Sequence, residues 1–180
     1  MSSRAYAEIR RKIVTLELAP GDVVREEALQ AELGIGRTPI REALQRLARD
    51  QFVTVMPRRG MFVASIDVSE LSLLFETRAV MEPYAARLGC MRGTDSDWDE
   101  MAAVLADAAE APGDAALLEV DRRCHEIIWH AAGNRFLTDT LDVLYAQSDR
   151  VWHMYLADVA DTRHAVDEHA GILDALRSGD

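Results

Sequence analysis

The chain has 180 residues, of which 49% are hydrophobic, and its formal net charge is −11. This length is enough to bury one or two modest hydrophobic cores. No stretch approaches the roughly 18 uncharged apolar residues that a membrane span requires, and Met1 to Tyr6 lacks the apolar run of a secretory signal. We therefore expect a soluble, cytoplasmic protein with no membrane partner. Cys90 and Cys124 are too far apart for a zinc knuckle or a redox pair, which predicts buried, reduced thiols.

Charge is distributed unevenly along the chain. Residues 1–66 contain 11 Lys and Arg against 8 Asp and Glu, a balance of +3, whereas residues 67–180 carry a balance of −14. An acidic protein repels nucleic acid as a whole, but a locally basic segment can still bind it. The N-terminal third is therefore the candidate for DNA contact. The acidic remainder would repel a duplex, although ordinary solubility explains its charge equally well.

Three helices are predicted in the N-terminal third. Apolar residues recur at helical spacing from Tyr6 to Leu16, and Pro20-Gly21 predicts the turn that ends this first helix. A second helix is predicted over residues 26–33, with Gly34 as its left-handed C-terminal cap. A third helix begins shortly afterwards. Its core-facing side is formed by Ile40, Ala43, Leu44 and Leu47.

The other side of this third helix predicts a surface that binds DNA. Arg37, Arg41 and Gln45 follow one another down that side. Pro39 is tolerated only in the first turn, so Arg37 and Thr38 lie at the helix N-terminus, where free backbone N–H groups attract a phosphate. In a major groove an Arg can bind guanine O6 and N7 together, which contributes roughly 1–3 kcal/mol of discrimination. The alternative is that these arginines are only solvated surface charges.

A basic hairpin follows the third helix. Strands are predicted over residues 52–56 and 61–64, around the turn Pro57-Arg58-Arg59-Gly60. Two arginines on a tight turn can straddle phosphates or enter the minor groove, and Gly60 permits the backbone conformation that such a turn needs. The predicted DNA-binding residues are Arg37, Thr38, Pro39, Arg41, Gln45, Arg58, Arg59 and Gly60.

This order of three helices and a basic hairpin resembles the winged helix-turn-helix domain of the GntR family of bacterial regulators. The motifs that carry the resemblance are Pro20-Gly21, Leu33-Gly34-Ile35, Arg37-Thr38-Pro39-Ile40-Arg41-Glu42-Ala43-Leu44, Leu47 and Arg58-Arg59-Gly60. The family usually has Ser or Thr at the position of Gly36, so one hydroxyl contact to a phosphate is missing here. The resemblance implies a homodimer that binds a double-stranded DNA operator.

Strand signals vanish after Ile66. Four or five helical stretches follow, and turns are predicted near Gly93, residues 112–114, Gly133 and Asp161. Such helices pack as an antiparallel bundle. The sequence therefore predicts a mainly α protein, with a winged helix-turn-helix domain over residues 1–66 and an all-α antiparallel bundle over residues 67–180.

The bundle contains a candidate metal site. Asp121 and His125 are four residues apart and share a helix face, so both can reach one metal ion. Spacing alone more often marks an exposed pair or a satisfied polar contact. The setting, however, resembles the FCD effector domain of the FadR-like branch of GntR regulators, through residues 119–125, 131–134 and 168–176. In that domain an Asp and three His commonly hold a divalent metal, often zinc, beneath a cavity for a small carboxylate. The resemblance implies Asp121, His125 and His169 as ligands.

The fourth ligand of the family has no counterpart in the sequence. The family pattern continues beyond Gly179 and Asp180 into a helix whose His completes the site, and this chain stops where that helix should begin. We therefore expect a domain whose last helix is missing, either as a fragment or as the natural protein. Water or an effector oxygen would then take the open position on the metal. An unoccupied polar cluster is the alternative.

Two further residues are candidates for effector binding. Arg78 occupies the family's arginine position on the first bundle helix, where a guanidinium can bind a carboxylate through two hydrogen bonds. Glu82 lies four residues later and could pair with it instead. Asn134 follows Gly133 and suits the N-cap of the next helix, with ligand contact as the second possibility.

Together these features predict a ligand-responsive transcription regulator. As a dimer it would repress by binding a pseudo-palindromic operator, and a small carboxylate at the metal-containing site would release or re-orient it. One alternative is a metal-dependent hydrolase in which the same cluster activates water. No separate general base is identifiable by motif, so we predict that the chain is not an enzyme. A second alternative is a DNA-binding regulator that no longer senses an effector.

Overall fold

The computed structural model describes residues 1–108, 113–159 and 162–179, and it forms two compact units, Met1–Val68 and Ser69–Asp180. The helices of the first unit are α1 Ser2–Val14, α2 Glu26–Leu33 and α3 Arg37–Arg49, and its strands are β1 Val23–Val24, β2 Val53–Met56 and β3 Gly60–Val63. A 3-10 turn spans Val68–Glu70. The helices of the second unit are α4 Leu71–Arg92, α5 Asp95–Asp107, α6 Asp114–Ala131, α7 Arg135–Val159 and α8 Thr162–Ser178. The predicted turn residues Pro112 and Asp161 lie outside the described residues.

Helix α1 ends earlier than the apolar spacing predicts. Leu16 has a φ of 60° and lies beyond the helix, so the prediction that it continues the helical pattern was wrong. The backbone N–H of Leu18 donates to the carbonyl oxygen of Lys12 at 2.9 Å, which closes the helix end around this left-handed residue. The helix therefore ends before Pro20-Gly21, and that turn belongs to the following loop.

Helices α2 and α3 form as predicted. Gly34 has a φ of 63° and caps α2 in the left-handed conformation. The apolar side of α3 is fully buried and packs against α1. The core of this unit is formed by Tyr6, Ile9, Ile13, Leu29, Ile40, Leu44, Leu47, Phe52, Val53 and Val63.

The sheet has three antiparallel strands in the order β1-β3-β2. The hairpin β2–β3 matches the predicted pair of strands, with Val53 opposite Val63 and Met56 opposite Gly60. Strand β1 was not predicted, because two residues carry no readable alternation. It adds an edge to the hairpin by pairing Val23 with Phe62.

Helix α6 lies at the centre of the second unit and packs against α4, α5, α7 and α8. Side chains from all five helices form the core, including Leu88, Trp98, Met101, Val104, Leu117, Cys124, Ile128, Trp129, Leu141, Tyr145, Leu173 and Leu176. Both cysteines are free thiols, and burial raises the pKa of Cys124 to about 12. Within the described residues, no helix combines the length and apolarity needed to cross a membrane. Because α6 packs against four other helices, a polar side chain on α6 can contact several of them.

The junction between α4 and α5 depends on a glycine. A Cβ added at Gly93 would lie 2.3 Å from Cζ2 of Trp98, a buried core residue. We therefore expect Gly93→Ala to lower the free energy of unfolding by about 2–3 kcal/mol through overpacking. Gly171→Ala is the control, since Gly171 is exposed in α8 with open space around it and should gain roughly 0.5–1 kcal/mol. Urea unfolding measures both, and wild-type stability of the first variant would contradict the packing described.

Candidate functional site

The exposed side of α3 presents the predicted DNA-binding residues. Arg37 is the first residue of the helix, and Arg41 and Gln45 follow at intervals of one turn. The side chains of Arg37 and Arg41 are 72% and 56% exposed. Thr38 is exposed as well, and Pro39 sits in the first turn, where no intrahelical N–H is needed. The apolar spacing of the sequence explains this arrangement, because burial of one side leaves the basic side facing outward.

The N-terminus of α3 is open toward solvent. Gly36 is the N-cap residue, with φ of −65° and ψ of 165°, and no described side chain caps the first turn. The N–H groups of Arg37 and Thr38 therefore remain available to an anion, beside two basic side chains. This arrangement suits a phosphate group.

An acidic residue from α2 contacts this basic side. Glu26 Oε2 lies 3.6 Å from Nε of Arg37, and its Oε1 lies 3.5 Å from Nε of Arg41. The sequence reading missed Glu26, because its arginine partners lie on another helix and no periodicity connects them.

The hairpin tip is exposed and its backbone is constrained. The N–H of Arg59 donates to the carbonyl oxygen of Met56 at 3.1 Å, and Arg58 has a φ of 64°. Pro57 followed by a residue with positive φ is typical of a type II turn, which normally has Gly at the position of Arg58. Gly60 has a φ of 104°, a positive value that glycine adopts readily, in agreement with its predicted place in this turn. The turn displays two arginines at the cost of local strain.

A neighbouring arginine has a structural role. The guanidinium of Arg46 stacks 3.9 Å from the ring centroid of Tyr6 and lies 3.7 Å from Asp50. The Tyr6 hydroxyl donates to Asp50 at 2.7 Å, and burial raises the pKa of Tyr6 to about 12. These contacts tie α3 to α1.

Asp121, His125 and His169 converge in the second unit. One ligand atom from each lies within 4.8 Å of the others. Nε2 of His125 is 3.7 Å from Oδ2 of Asp121, and Nδ1 of His169 is 3.5 Å from Oδ1 of the same residue. Helix α6 supplies the first two residues and α8 supplies the third, so packing of these helices forms the cluster.

The protonation state of His125 suits a metal ligand. Burial lowers the pKa of His125 to about 4, against a smaller raising effect of Asp121. The imidazole is therefore neutral at pH 7, and a neutral ring nitrogen can donate its lone pair. The rings of His125 and His169 meet edge to face, with centroids 4.9 Å apart.

A tyrosine on α7 orients the carboxylate. The Tyr145 hydroxyl donates a short hydrogen bond to Oδ2 of Asp121, and its ring lies against His125 with centroids 5.1 Å apart. Burial, together with the charge of Asp121, raises the pKa of Tyr145 well above 10, so the hydroxyl keeps its proton. Sequence reasoning missed Tyr145, because a single aromatic residue on an amphipathic helix gives no signal beyond core packing.

Arg78 lies beside this cluster. Its side chain is buried, and its guanidinium carbon lies 5.0 Å from the ring centroid of Tyr145. Nε donates to Glu82 at 2.7 Å, and Nη1 donates to Ser148 on α7. The ion pair with Glu82, the alternative given by sequence spacing, is therefore present, and the same guanidinium also faces the side chains around Asp121.

Asn134 caps helix α7. Its Oδ1 accepts from the N–H of Leu137 at 3.4 Å, and Thr138 donates to the Asn134 carbonyl oxygen. This is the cap geometry that the sequence predicts.

Comparison with known proteins identifies both units. Residues 1–63 match the family described as bacterial regulatory proteins, gntR family, and residues 73–180 match the FCD domain. The chain belongs to the GntR family. Its two matches together cover the DNA-binding and the effector-binding domain of an FCD-type regulator.

Characterised relatives agree with this assignment. The regulator is 30% identical to the Nta operon transcriptional regulator of Aminobacter aminovorans over 91% of this chain and 77% of that protein. It is 26% identical to the HTH-type transcriptional repressor RspR of Escherichia coli over the whole chain and 80% of that protein. These relatives are transcription regulators, so the chain is a DNA-binding regulator and not an enzyme, and the hydrolase alternative has no support.

Solved structures share the fold. The regulator superimposes on E. coli McbR/YncC with a TM-score of 0.87 and 22% identity, over 99% of this chain and 87% of that one. A putative GntR regulator from Rhodococcus sp. RHA1 gives a TM-score of 0.76 at 22% identity, over 99% and 86%. At identities this low, the superpositions establish the fold alone, which is a winged helix-turn-helix domain followed by a helical bundle.

Proposed function

We propose that this GntR regulator is a repressor that binds a pseudo-palindromic operator as a homodimer, and that a small carboxylate at a metal-containing site in its FCD domain releases or re-orients it. The observation that carries the proposal is the convergence of Asp121, His125 and His169 beside the buried guanidinium of Arg78. Such a cluster offers positive charge and oxygen-binding positions inside an effector domain.

In this proposal α3 lies in the major groove. Arg37, Arg41 and Gln45 contact base edges, while the N-terminal amides near Thr38 and Pro39 hold a phosphate. Arg58 and Arg59, on the turn closed by Gly60, contact the backbone or the minor groove next to it. Support comes from the exposure of these residues other than the half-buried Pro39, and from the positive φ of Arg58.

The strain at Arg58 gives a test of the hairpin. Arg58→Asn should keep or raise the free energy of unfolding, by up to about 1 kcal/mol, because Asn tolerates a positive φ better than Arg. The same change should weaken DNA binding several-fold, since a phosphate contact is lost. Urea unfolding and fluorescence anisotropy on a labelled duplex measure the two effects. Unchanged DNA affinity would remove the hairpin from the interface.

The homodimer would form through α4. One side of this helix packs on α6 and α7. Leu73, Val80, Tyr84 and Met91 are nevertheless 60%, 74%, 54% and 71% exposed, and they recur at helical spacing on another side. A helix that is apolar on both sides is normally covered on both sides. A second copy across a two-fold axis would cover this stripe, and the resulting symmetry matches a pseudo-palindromic operator.

The donor set fits a divalent metal such as zinc. Two ligand atoms about 2.0 Å from one tetrahedral ion are roughly 3.3 Å apart. The three side chains each place one ligand atom within 4.8 Å of the other two, so a small contraction of the cluster would hold the ion. Neutral His125 and the oriented carboxylate of Asp121 are ready to bind without large movement. When bound, the metal would add positive charge that attracts an anionic effector. Three protein ligands leave a position for an effector or water oxygen.

The carboxylate of the effector would also bind Arg78. Glu82 forms a hydrogen-bonded ion pair with that guanidinium. An effector must therefore displace Glu82 or share Arg78 with it. Asn134, which caps α7, remains the second candidate for contact with the effector.

Carboxylate-dependent release of DNA tests the proposal. The probe is a duplex that the wild-type protein selects from a random-sequence pool, and its affinity is measured for zinc-loaded protein with a panel of small mono- and dicarboxylates. A coupled effector should change the affinity by about 5- to 150-fold. His125→Ala should abolish the change and leave DNA affinity intact. An affinity unmoved by every carboxylate would favour a regulator that no longer senses an effector.

A further inference from the structure

Glu26 stands between the two arginines that are proposed to contact bases. Its two carboxylate oxygens are engaged separately, Oε2 by Arg37 and Oε1 by Arg41, at 3.6 and 3.5 Å. The Glu26 side chain is 26% exposed and thus much less accessible than either arginine. In both pairs the contact is made by Nε of the guanidinium. Both arginines therefore share one carboxylate on the side of α3 that is proposed to meet base edges.

This contact offsets a charge repulsion on α3. Arg37 and Arg41 are four residues apart, so their like charges repel on the same helix side. Both side chains also have many rotamers, which DNA binding must restrict. A carboxylate shared between them offsets the repulsion and restricts both side chains before DNA arrives. The same negative charge, however, lies next to the surface that approaches phosphates and weakens attraction to any duplex.

We propose that Glu26 is a specificity-determining positioning residue, which presets Arg37 and Arg41 for the operator while lowering affinity for DNA in general. The inference rests on the proposed reading of bases by these two arginines. It predicts opposite effects of Glu26 on two quantities. Affinity for unrelated sequence falls because of its charge, and discrimination between operator and unrelated sequence rises because of its position.

Three variants separate charge from position. Glu27 is exposed and adjacent on α2, so Glu27→Gln removes the same charge without touching the arginine contact. Glu26→Gln removes the charge and with it both ion pairs to the arginines, and Glu26→Asp keeps the charge but shortens the reach. Each is titrated against the selected duplex and a scrambled duplex of equal length, by anisotropy at one salt concentration.

Glu27→Gln should raise the affinity for both duplexes by the same factor and leave their ratio unchanged. Glu26→Gln should raise affinity for the scrambled duplex similarly but lower the selected-to-scrambled ratio about tenfold, because two arginines must then be ordered on binding. Glu26→Asp should lower the ratio without raising affinity for scrambled DNA.

Equal ratios in Glu26→Gln and Glu27→Gln would overturn the inference, since Glu26 would then act through its charge alone. If Glu26→Gln fails to fold, Glu26→Asp decides, because it keeps the charge at the N-terminus of α2. Failure of the proposal that Arg37 and Arg41 contact bases can be told apart from failure of this inference. It would appear as unchanged affinity for the selected duplex in Arg37→Ala and Arg41→Ala, whatever the Glu26 variants do.

Discussion

Replacing Arg37 and Arg41 together by alanine should lower the affinity for the selected duplex by about 30-fold or more. Each arginine that binds guanine through two hydrogen bonds contributes roughly 1–3 kcal/mol of discrimination, and the two side chains lie one turn apart on the exposed side of α3. Affinity for a scrambled duplex should fall much less, because only charge is lost there. Anisotropy titrations at a fixed salt concentration measure both affinities.

The control for this variant removes equal charge elsewhere. Arg135 and Arg177 are exposed residues of the bundle that lie outside the apolar stripe of α4, and their double alanine variant keeps the DNA-binding unit intact. It should bind the selected duplex within about twofold of wild type, because neither residue belongs to the unit that carries the proposed DNA contacts, and salt screens weak long-range attraction. An equal loss in both double variants would mean that α3 contributes only to overall charge.

Zinc should stabilise the bundle strongly. A ligand that binds only the folded state at a free concentration of 1,000 times its Kd adds about 4 kcal/mol to the free energy of unfolding. Metal-free protein should therefore unfold at a clearly higher temperature when zinc is added. His169→Ala should abolish most of this gain, because it removes the only predicted ligand contributed by α8. Differential scanning fluorimetry with and without zinc measures the effect.

His164→Ala is the matched control for this measurement. His164 is an exposed histidine on the same helix and lies outside the three-residue cluster. Its variant should keep the full response to zinc. A wild-type response in His169→Ala would assign the stabilisation to another site.

Much of the DNA-binding unit is predictable because its elements are locally encoded. The core side of α3, the cap at Gly34 and the glycine in the hairpin each follow from periodicity or backbone preference at single positions. Strand β1 and the end of α1 are different. A two-residue strand exists only because β3 offers it partners, and Leu16 adopts a conformation that its side chain does not favour.

The candidate site shows a similar division. Spacing brings Asp121 and His125 to one helix face, but His169 could be added only through the family resemblance, because it lies on another helix. Tyr145 and Glu26 carry no motif, and only the packed structure reveals that they contact Asp121 and the two arginines of α3. Tertiary contacts of this kind depend on how helices pack, which local sequence does not encode.

The metal content of the purified chain tests the account most directly. Wild-type protein and His125→Ala are loaded with zinc, dialysed and analysed by inductively coupled plasma mass spectrometry. His130→Ala is the control, because it changes an exposed histidine on the same helix. We expect close to one zinc per chain in wild type and in His130→Ala, and very little in His125→Ala. Equal zinc in all three proteins, or none in any, would contradict a metal-containing site formed by Asp121, His125 and His169.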